Sequence, residues 1–390
     1  MEKPLVIGFD AKRIVRNGTG LGSYGRTLVN SLSALQTNLQ LRLYAPDQGS
    51  DELRQQIELR QGVQFVYPRN IPTEKGGLVT RLRRDWWRTR GVVSELQADG
   101  VDVFHGLSGE LPVGLKQSGV KGLVTIHDLI FLRHPEYYHP WDVAIYRKKF
   151  HATLREADRI VAISECTKRD ILEYGDFPAD RIDLVYQSCG TRFKQVCTAN
   201  ELEEVRRLYR LPSCYVLSVG TIEERKNVLL AVKALLHLPQ EVSLVIVGRA
   251  TAYTKRTVLP FIRKHGLTSR VLFLHGIPNA HLPAIYQLAD CFVYPSRYEG
   301  FGIPIIEAVQ SSLPVVAATG SCLEEAGGPD NLYVDPDDDE ALAQAVSRSM
   351  KGTTGREERI ARSQAYVRRF ENSDVAAQML QLYSVVNSEQ

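Results

Sequence analysis

The feature that most constrains the fold of this sequence is a series of short apolar runs alternating with helical patterns, and the series occurs twice. Such runs are apolar on both faces, which is typical of strands in a parallel sheet. In the first half they are residues 5–9, 39–44, 101–105, 123–127, 160–163 and 182–186. In the second half they are residues 215–219, 242–247, 271–274, 291–294 and 315–318. This alternation predicts an α/β protein with two doubly wound parallel sheets of Rossmann type.

The pattern restarts after a connecting stretch at residues 191–212. At about 100–200 residues per domain, 390 residues fit two or three domains. We therefore predict an N-terminal domain at 1–190 and a C-terminal domain at 191–373. A last helix in 374–390 is predicted to pack back toward the N-terminal domain.

Composition excludes several classes of protein. The net charge of +3, from 48 basic and 45 acidic residues, is too small to indicate bulk nucleic-acid binding. No apolar run reaches the roughly 18 residues of a membrane span, and the first residues lack the apolar segment of a signal peptide. The six cysteines form no CxxC pair, which favours free thiols in a reducing compartment. A cytoplasmic protein is expected.

The most specific motif is residues 299–307, Glu-Gly-Phe-Gly-Ile-Pro-Ile-Ile-Glu, which follows the strand at 291–294. Its glycines let a ligand approach the backbone, and Pro304 suits the first turn of a helix whose N-terminus can hold a phosphate. Glu299 and Glu307 can accept hydrogen bonds from the hydroxyls of a polyol. The alternative, a helix cap at Glu299 and a solvated Glu307, is disfavoured by the apolar neighbours of Glu307.

A second motif is residues 219–227, Val-Gly-Thr-Ile-Glu-Glu-Arg-Lys-Asn, where a strand meets a helix. Ligands in open α/β sheets bind at the carboxyl ends of strands. Arg225 and Lys226 there would form a cationic pocket suited to a diphosphate. Charge alone leaves open that both are solvated loop residues.

A third motif is the glycine-rich stretch at residues 18–25, predicted to be a loop that leads into a helix from Ser23 to Leu35. Gly20–Gly25 match GxGxxG, but about nine residues separate Gly20 from the preceding strand, so the match to a dinucleotide site is weak. Asp47 lies near the spacing of a ribose-binding acid. An NAD-dependent oxidoreductase therefore remains an alternative.

Two histidines follow predicted strands. His127, followed by Asp128, can hydrogen-bond a sugar hydroxyl or transfer a proton. His105 has the same two interpretations, and for both residues a purely structural role stays open.

Residues 81–90 contain five arginines and two tryptophans. Such a helix can lie on an anionic membrane or bind a lipid diphosphate. A surface helix with its tryptophans packed into the domain fits equally well.

Residues 335–340 contain DxD, the metal-binding pattern of another class of sugar transferase. Here the run precedes a helical pattern, and Asp337 and Glu340 have the spacing of an N-cap and its reciprocal partner. We interpret the run as a helix cap and expect no metal site, since no other cluster has metal-ligand spacing.

Together these motifs resemble the retaining glycosyltransferases of family 4, which have the GT-B fold of two Rossmann-like domains facing a central cleft. Glu299 and Glu307 match the E-x7-E motif, and residues 219–227 resemble the donor-phosphate segment, with Glu224 where proline is frequent. Residues 124–129 resemble the central histidine segment and residues 18–22 the N-terminal loop. The resemblance covers nearly the whole chain and is strongest from Val216 to Pro336.

The resemblance implies a role for each matching position on the donor side. Arg225 and Lys226 would hold the donor diphosphate, in the segment that includes Gly220. Glu307 would take the ribose hydroxyls. Glu299 would hold the transferred sugar, with the backbone N–H groups around Phe301 and Gly302.

It also implies contacts from other segments. His127 would contact the sugar near the reacting carbon. Gly20 and Gly22 would approach the phosphates or the acceptor. Leu274 would touch the base through its backbone.

The implied activity is metal-independent, retaining transfer of a hexose from a nucleotide-diphosphate sugar, with no further cofactor. The acceptor would be a glycan or lipid-linked glycan in surface polysaccharide synthesis, at the inner face of the membrane. The sequence of residues 220–227 resembles that of mannosyltransferases, so GDP-mannose is favoured over a UDP-sugar as the donor. The alternatives are a UDP-sugar-dependent transferase, a nucleotide-sugar epimerase, the oxidoreductase named above and a sugar-binding protein.

Overall fold

The computed structural model describes residues 3–35, 38–72 and 77–389, which form two compact units. Unit 1 comprises Met1–Ser188 with Phe370–Gln390, and unit 2 comprises Cys189–Arg369. Each unit is built on one parallel sheet with helices on its faces.

The strands of unit 1 are β1 (Leu5–Asp10), β2 (Leu39–Tyr44), β3 (Val63–Val66), β4 (Val103–Gly106), β5 (Lys121–Ile126), β6 (Arg159–Ala162) and β7 (Ile182–Leu184). Those of unit 2 are β8 (Tyr215–Val219), β9 (Ser243–Val247), β10 (Val271–Leu274), β11 (Cys291–Tyr294), β12 (Val315–Ala318) and β13 (Leu332–Val334). The sheet orders are β3-β2-β1-β4-β5-β6-β7 and β10-β9-β8-β11-β12-β13. The predicted α/β class with two doubly wound parallel sheets is confirmed.

The first helices are α1 (Lys12–Arg16), α2 (Gly20–Ser33), α3 (Asp51–Arg54), α4 (Leu78–Trp86), α5 (Val92–Ala98), α6 (Ile130–Arg133), α7 (Pro140–Glu156) and α8 (Glu165–Tyr174). The next are α9 (Ala199–Tyr209), α10 (Val228–Ala234), α11 (Leu259–Lys264), α12 (Leu282–Leu288) and α13 (Ile303–Gln310). The last are α14 (Leu323–Gly327), α15 (Asp339–Ser347), α16 (Arg356–Val367) and α17 (Asn372–Ser388). Among the described residues, no helix is both long and apolar enough to cross a bilayer.

In both sheets, the strand order reverses beside the first strand of the unit. β1 lies between β2 and β4, and β8 lies between β9 and β11. At such a switch point the loops after neighbouring strands diverge and leave room for a ligand at the carboxyl ends. The predicted site segments at 219–227 and 299–307 lie at the ends of β8 and β11, the two strands beside the point in unit 2. The segment at 124–129 includes the end of β5, which is the neighbour of β4 in unit 1.

The glycine-rich stretch is not the loop that the sequence predicted, because α2 already begins at Gly20. A Cβ on Gly22 would lie 1.8 Å from the Asn17 carbonyl oxygen, and one on Gly25 would lie 2.8 Å from Ile14. These glycines therefore allow α1 and α2 to pack closely.

Helix α17 belongs to unit 1, although its sequence follows unit 2. Val375, Met379, Tyr383 and Val386 are buried in the same apolar cluster as the strands β1 and β2. The Tyr383 hydroxyl lies 2.7 Å from Nδ1 of the buried His105.

Candidate active site

The loop after β8 places two basic side chains at the carboxyl end of the unit 2 sheet. Gly220, with φ of 148°, takes a backbone conformation that favours glycine, and a Cβ on Gly248 would lie only 1.8 Å from the Gly220 carbonyl oxygen. A single 3-10 turn, Glu224–Lys226, then leads to Asn227 and the start of α10. The Asn227 amide donates to the Pro336 carbonyl at 2.7 Å, which ties the turn to the loop after β13.

Arg225 and Lys226 converge on the carboxylate of Glu299. Arg225 Nη1 lies 3.0 Å from Glu299 Oε2, and Lys226 Nζ lies 2.5 Å from Oε1. The Ser296 hydroxyl donates to the same Oε1 at 2.7 Å, and the Lys226 ammonium donates to the Tyr294 hydroxyl at 2.7 Å. The structure thus joins residues that the sequence placed in two separate motifs.

The charges of this cluster are fixed by their mutual contact. Burial raises the pKa of Glu299, but Lys226 and Arg225 outweigh it and lower that pKa to about 2. Burial lowers the pKa of Lys226, and the Glu299 carboxylate outweighs that effect and raises it. Arg225 also pairs with the half-exposed Glu223 at 2.7 Å. Glu299, Lys226 and Arg225 are therefore ionised at neutral pH.

Glu299 is not a helix cap, so that alternative interpretation is wrong. The N-cap of α13 is Gly302, with φ of 133° and no side-chain cap bond. A Cβ on Gly302 would lie 3.1 Å from that of Ala326. Glycine is therefore favoured here both by the positive φ and by the lack of space for a side chain. The Cys322 thiol donates to the carbonyls of Glu299 and Phe301, at 3.1 and 2.7 Å, and holds the buried turn in place.

Glu307 lies one turn into α13, partly buried rather than on a solvated face. The Tyr286 hydroxyl donates to Glu307 Oε2 at 2.9 Å. Burial raises the pKa of Glu307 to about 7, despite that hydrogen bond. The carboxyl group can therefore change its protonation state near neutral pH.

Leu274 is the last residue of β10 and is buried, and its carbonyl accepts a hydrogen bond from Gly248 N–H at 2.9 Å. It lies at the same edge of the sheet as the cation cluster, with β9 between β10 and β8. The Leu274 carbonyl is thus occupied by a hydrogen bond that joins the ends of β9 and β10.

In unit 1, His127 follows β5 with both ring nitrogens engaged. Nε2 lies 2.8 Å from the Leu107 carbonyl oxygen, and Nδ1 lies 2.6 Å from the Gln187 amide nitrogen. A carbonyl can only accept, so Nε2 carries the proton and Nδ1 accepts from Gln187. Burial lowers the pKa of His127 to about 4, and the Tyr24 ring packs edge-on against it at 4.9 Å. The ring is neutral and fixed in orientation.

His105 is a core residue. It is fully buried, with Nε2 2.8 Å from the Thr125 hydroxyl and Nδ1 bonded to Tyr383 as noted above. Burial lowers the pKa of His105 to about 3. Of its two sequence interpretations, the structural one fits.

The N-terminal glycines lie at the start of α2, where Gly20 is exposed and Gly22 is buried. Asp47, the residue proposed for an NAD ribose, is buried and pairs with Arg84 at 2.8 Å and with Arg16. Its carboxylate is therefore committed to arginines of the protein, which removes the main support for the oxidoreductase alternative.

The basic segment at 81–90 divides into buried and exposed arginines. Arg84 pairs with Asp47, and Arg88 pairs with Asp10 at 2.6 Å and with Glu110. Trp87 is buried, and its indole N–H donates to a glutamate, whereas Trp86 is 61% exposed. The packed interpretation thus fits Arg84, Trp87 and Arg88, and membrane binding by the exposed residues stays a prediction.

The DxD run caps a helix, but through Asp338 rather than Asp337. The Asp338 carboxylate accepts from the Ala341 N–H at 2.8 Å, and Asp337 pairs with Arg297. Within residues 3–35, 38–72 and 77–389, no group of three His, Cys, Asp or Glu side chains is arranged to hold a metal ion.

Sequence reasoning missed the polar partners that orient these groups: Gln187, Tyr286, Tyr294 and Ser296. Tyr294 ends the strand before the motif at residues 299–307, and Ser296 lies in the loop that leads from it to Glu299. Their position close to Glu299 in the sequence could have indicated these contacts. Gln187 reaches His127 across 60 residues of sequence, and no local pattern indicates such a contact.

Comparison with known proteins gives matches in both halves of the chain. Residues 18–188 match the family model "Glycosyltransferase Family 4", and residues 208–366 match "Glycosyl transferases group 1". The O-antigen chain mannosyltransferase B of Escherichia coli is 27% identical over 380 residues, which cover 94% of this chain and 96% of that protein.

Two further similarities differ in their extent. The serotype-specific mannosyltransferase WbdA of Escherichia coli is 27% identical over 64% of this chain, and the chain spans about a third of its length, 32%. The crystal structure of Anabaena HepE in complex with UDP and glucose superposes with a TM-score of 0.71 at 17% identity, covering 98% of this chain and all of that one. The two family matches favour glycosyl transfer over the oxidoreductase and sugar-binding alternatives. The chain belongs to the glycosyltransferases of family 4, and it has the GT-B fold.

Proposed function

We propose that the chain is a retaining hexosyltransferase that uses a nucleotide-diphosphate sugar, and that Arg225 and Lys226 bind the diphosphate of the donor. The observation that carries this proposal is that the Arg225 and Lys226 side chains converge on the Glu299 carboxylate, at the carboxyl ends of β8 and β11. A pair of fixed cations at a switch point is suited to a diphosphate.

The chemistry follows from the charge that develops during transfer. Breaking the bond between the sugar and the phosphate oxygen builds negative charge on the leaving diphosphate, and preorganised cations stabilise it. In same-face attack, that oxygen accepts the proton of the acceptor hydroxyl. Glu299, held by two cations with a pKa of about 2, is a poor nucleophile, which supports a mechanism without a covalent sugar–protein intermediate.

The remaining roles are proposed by position. Glu307 would accept hydrogen bonds from the ribose hydroxyls. Glu299 would hold the transferred sugar, together with the backbone N–H groups of the turn at Phe301 and Gly302. Gly220 would let the diphosphate approach the backbone, and Leu274 would face the base. On the acceptor side, His127 would act as a neutral contact for the sugar, with Gly20 and Gly22 nearby.

We favour mannose as the transferred sugar and GDP-mannose as its donor, because the relative matched over 94% of this chain is an O-antigen chain mannosyltransferase. The acceptor would then be a glycan or lipid-linked glycan of a surface polysaccharide. The fold is shared with a protein solved with UDP and glucose, so a UDP-sugar is the second candidate.

The donor proposal is tested by measuring nucleotide release from GDP-mannose, UDP-glucose and UDP-galactose, with and without a metal chelator. We expect release from GDP-mannose that persists after chelation. Release from a UDP-sugar alone would replace the donor, and loss of turnover on chelation would contradict metal independence.

A further inference from the structure

The Glu307 carboxylate is held by a tyrosine of a neighbouring helix, Tyr286 in α12. The Tyr286 side chain is fully buried, and its hydroxyl donates to Oε2 of Glu307 at 2.9 Å. A phenol has a single proton to donate, so this hydrogen bond uses it. Within the described part of the chain, no group donates to the second oxygen, Oε1. The contact therefore fixes one oxygen of the carboxylate and leaves the other for a ligand.

The Tyr286 ring is held in place by two other aromatic rings. Phe193 packs against it edge-on, with ring centroids 5.4 Å apart and an interplanar angle of 84°. The Phe292 ring lies 5.5 Å from it at an angle of 39°, and both phenylalanines are fully buried. Because a close-packed core leaves little room for the ring to move, the hydroxyl has a fixed position. Glu307 is thus oriented by a rigid partner.

The charge of Glu307 depends on a balance of effects at its carboxyl group. Burial raises its pKa to about 7, against the Tyr286 hydrogen bond and the charge of Arg192, which both lower it. A hydrogen bond to the ionised form favours that form, and burial keeps Tyr286 itself protonated by raising its pKa. The neighbouring Cys189 thiol is neutral, because burial raises its pKa as well. Among the described residues of β11, β12, α14, α16 and the turn at 191–194, which pack against α13, only Arg192 adds a charge to this balance.

We propose that Tyr286 is a positioning residue of the donor site, whose hydroxyl keeps the Glu307 carboxylate ionised and leaves its Oε1 for the ribose of the donor. Tyr286 acts through Glu307 and does not itself touch the donor. The contact between Glu307 and a ribose rests on the proposed function. The dependence of the Glu307 charge on Tyr286 does not, because it follows from a contact within the protein.

The first test is an infrared pH titration of the ligand-free chain and of Tyr286→Phe, which keeps the ring and removes the hydroxyl. The band of the protonated Glu307 carboxyl group is identified as the one that Glu307→Gln lacks. Its midpoint should lie at about 7 in the wild type and move up by about one pH unit in Tyr286→Phe, because a hydrogen bond to the charged form is lost. Tyr333→Phe is the matched control, since the Tyr333 hydroxyl donates to the Gly328 carbonyl at 2.7 Å, and it should leave the midpoint unchanged.

The second test is calorimetric titration of the same variants with GDP-mannose. With the midpoint one unit higher, Tyr286→Phe should bind up to about fivefold less tightly than the wild type at about pH 7. The two affinities should converge by about pH 8.5, where Glu307 is mostly ionised in both chains. A damaged fold would not recover as the pH rises, and thermal unfolding checks the fold independently.

An unchanged Glu307 midpoint in Tyr286→Phe would overturn the proposal, and so would an affinity lowered by the same factor at every pH. A wild-type chain that binds no GDP-mannose would instead contradict the donor proposed above. In that case the infrared titration still decides whether Tyr286 controls the charge of Glu307.

Discussion

Glu299 has contacts in the structure that its motif did not indicate. The motif implied contact with the transferred sugar, and the structure shows the carboxylate between Arg225 and Lys226. Removing one member of a buried ion pair leaves an uncompensated charge, which is costly. Glu299 therefore fixes the positions of both cations.

Lys226→Ala should lower turnover of GDP-mannose by ~10²-fold or more, the scale of a lost contact to a developing oxyanion. Lys255→Ala is the control, because Lys255 is an exposed lysine of the same unit. Steady-state kinetics of both variants, with thermal unfolding to confirm folding, make the comparison. Turnover by Lys226→Ala at the wild-type rate would contradict the proposal that Lys226 binds the donor diphosphate.

Glu307 should give donor binding a pH dependence. Its pKa is raised to about 7, so the carboxyl group is mostly protonated below that pH and ionised above it. The ionised form accepts hydrogen bonds from two ribose hydroxyls, whereas the protonated form accepts fewer. Affinity for GDP-mannose should therefore rise as pH increases from 6 to 8, because the diphosphate diester does not titrate in that range.

The control for this effect is Glu307→Gln, which does not titrate and should bind with the same weaker affinity at every pH. Calorimetric titration at three pH values makes the measurement. Equal pH slopes for the wild type and Glu307→Gln would assign the effect to another group.

Burial keeps the His127 ring neutral, and the Gln187 amide donates to Nδ1, so that nitrogen carries no proton. Gln187→Glu replaces the donor with a carboxylate, which favours a protonated ring. The pKa of His127 should rise from about 4 toward or above neutral pH. NMR titration of the histidine ring measures this shift, Gln187→Met serves as the uncharged comparison, and an unchanged pKa in Gln187→Glu would contradict the assigned contact.

Among the elements, α4 combines structural and exposed basic residues on one short helix. Leu78, Val79, Leu82 and Trp86 are 61–72% exposed, and Arg81 and Arg83 are exposed beside them. An exposed face that is both apolar and basic is suited to an anionic bilayer. We propose that this face, and not the buried Arg84 and Arg88, brings the enzyme to a membrane.

Arg81→Ala with Arg83→Ala should weaken binding to vesicles containing anionic lipid by roughly thirtyfold, because each basic residue near the surface contributes about 1 kcal/mol. The same change at Arg256 and Arg263, two exposed arginines of unit 2, should have no such effect. Arg84→Ala should instead lower the melting temperature, because it leaves Asp47 with one partner fewer. Sedimentation with vesicles measures binding. An equal loss of binding in the Arg81/Arg83 and Arg256/Arg263 double variants would mean that binding depends on net charge alone, and would contradict a specific role for α4.

The elements that the sequence predicted are those with an apolar pattern on both faces. Strands such as β1, β5 and β11 are buried along their length, so their composition alone identifies them. β3 and β13, two short edge strands with partly exposed residues, were missed. The start of α2 was missed because its glycines, which serve helix packing, resemble a loop in sequence.

At the scale of the whole molecule, the order of the motifs carried more information than any one of them. The fold class followed from the alternation of apolar runs and helical patterns, and the family resemblance followed from the order of the motifs. The contacts that couple the motifs did not follow, because they join residues far apart in sequence: Arg225 meets Glu299 and His127 meets Gln187. Such pairs are set by the packing of loops at the strand ends, for which one sequence has no periodic signal.

The central claim is that the chain cleaves a nucleotide-diphosphate sugar with retention of configuration. The most direct test follows GDP-mannose by proton NMR in real time, with no acceptor present and water as the attacking group. We predict that the first mannose released is the α anomer, ahead of mutarotation, and that release is lost when both Arg225 and Lys226 are replaced by alanine. Initial release of the β anomer would contradict retention, and an intact donor with every nucleotide sugar supplied would contradict the proposed activity itself.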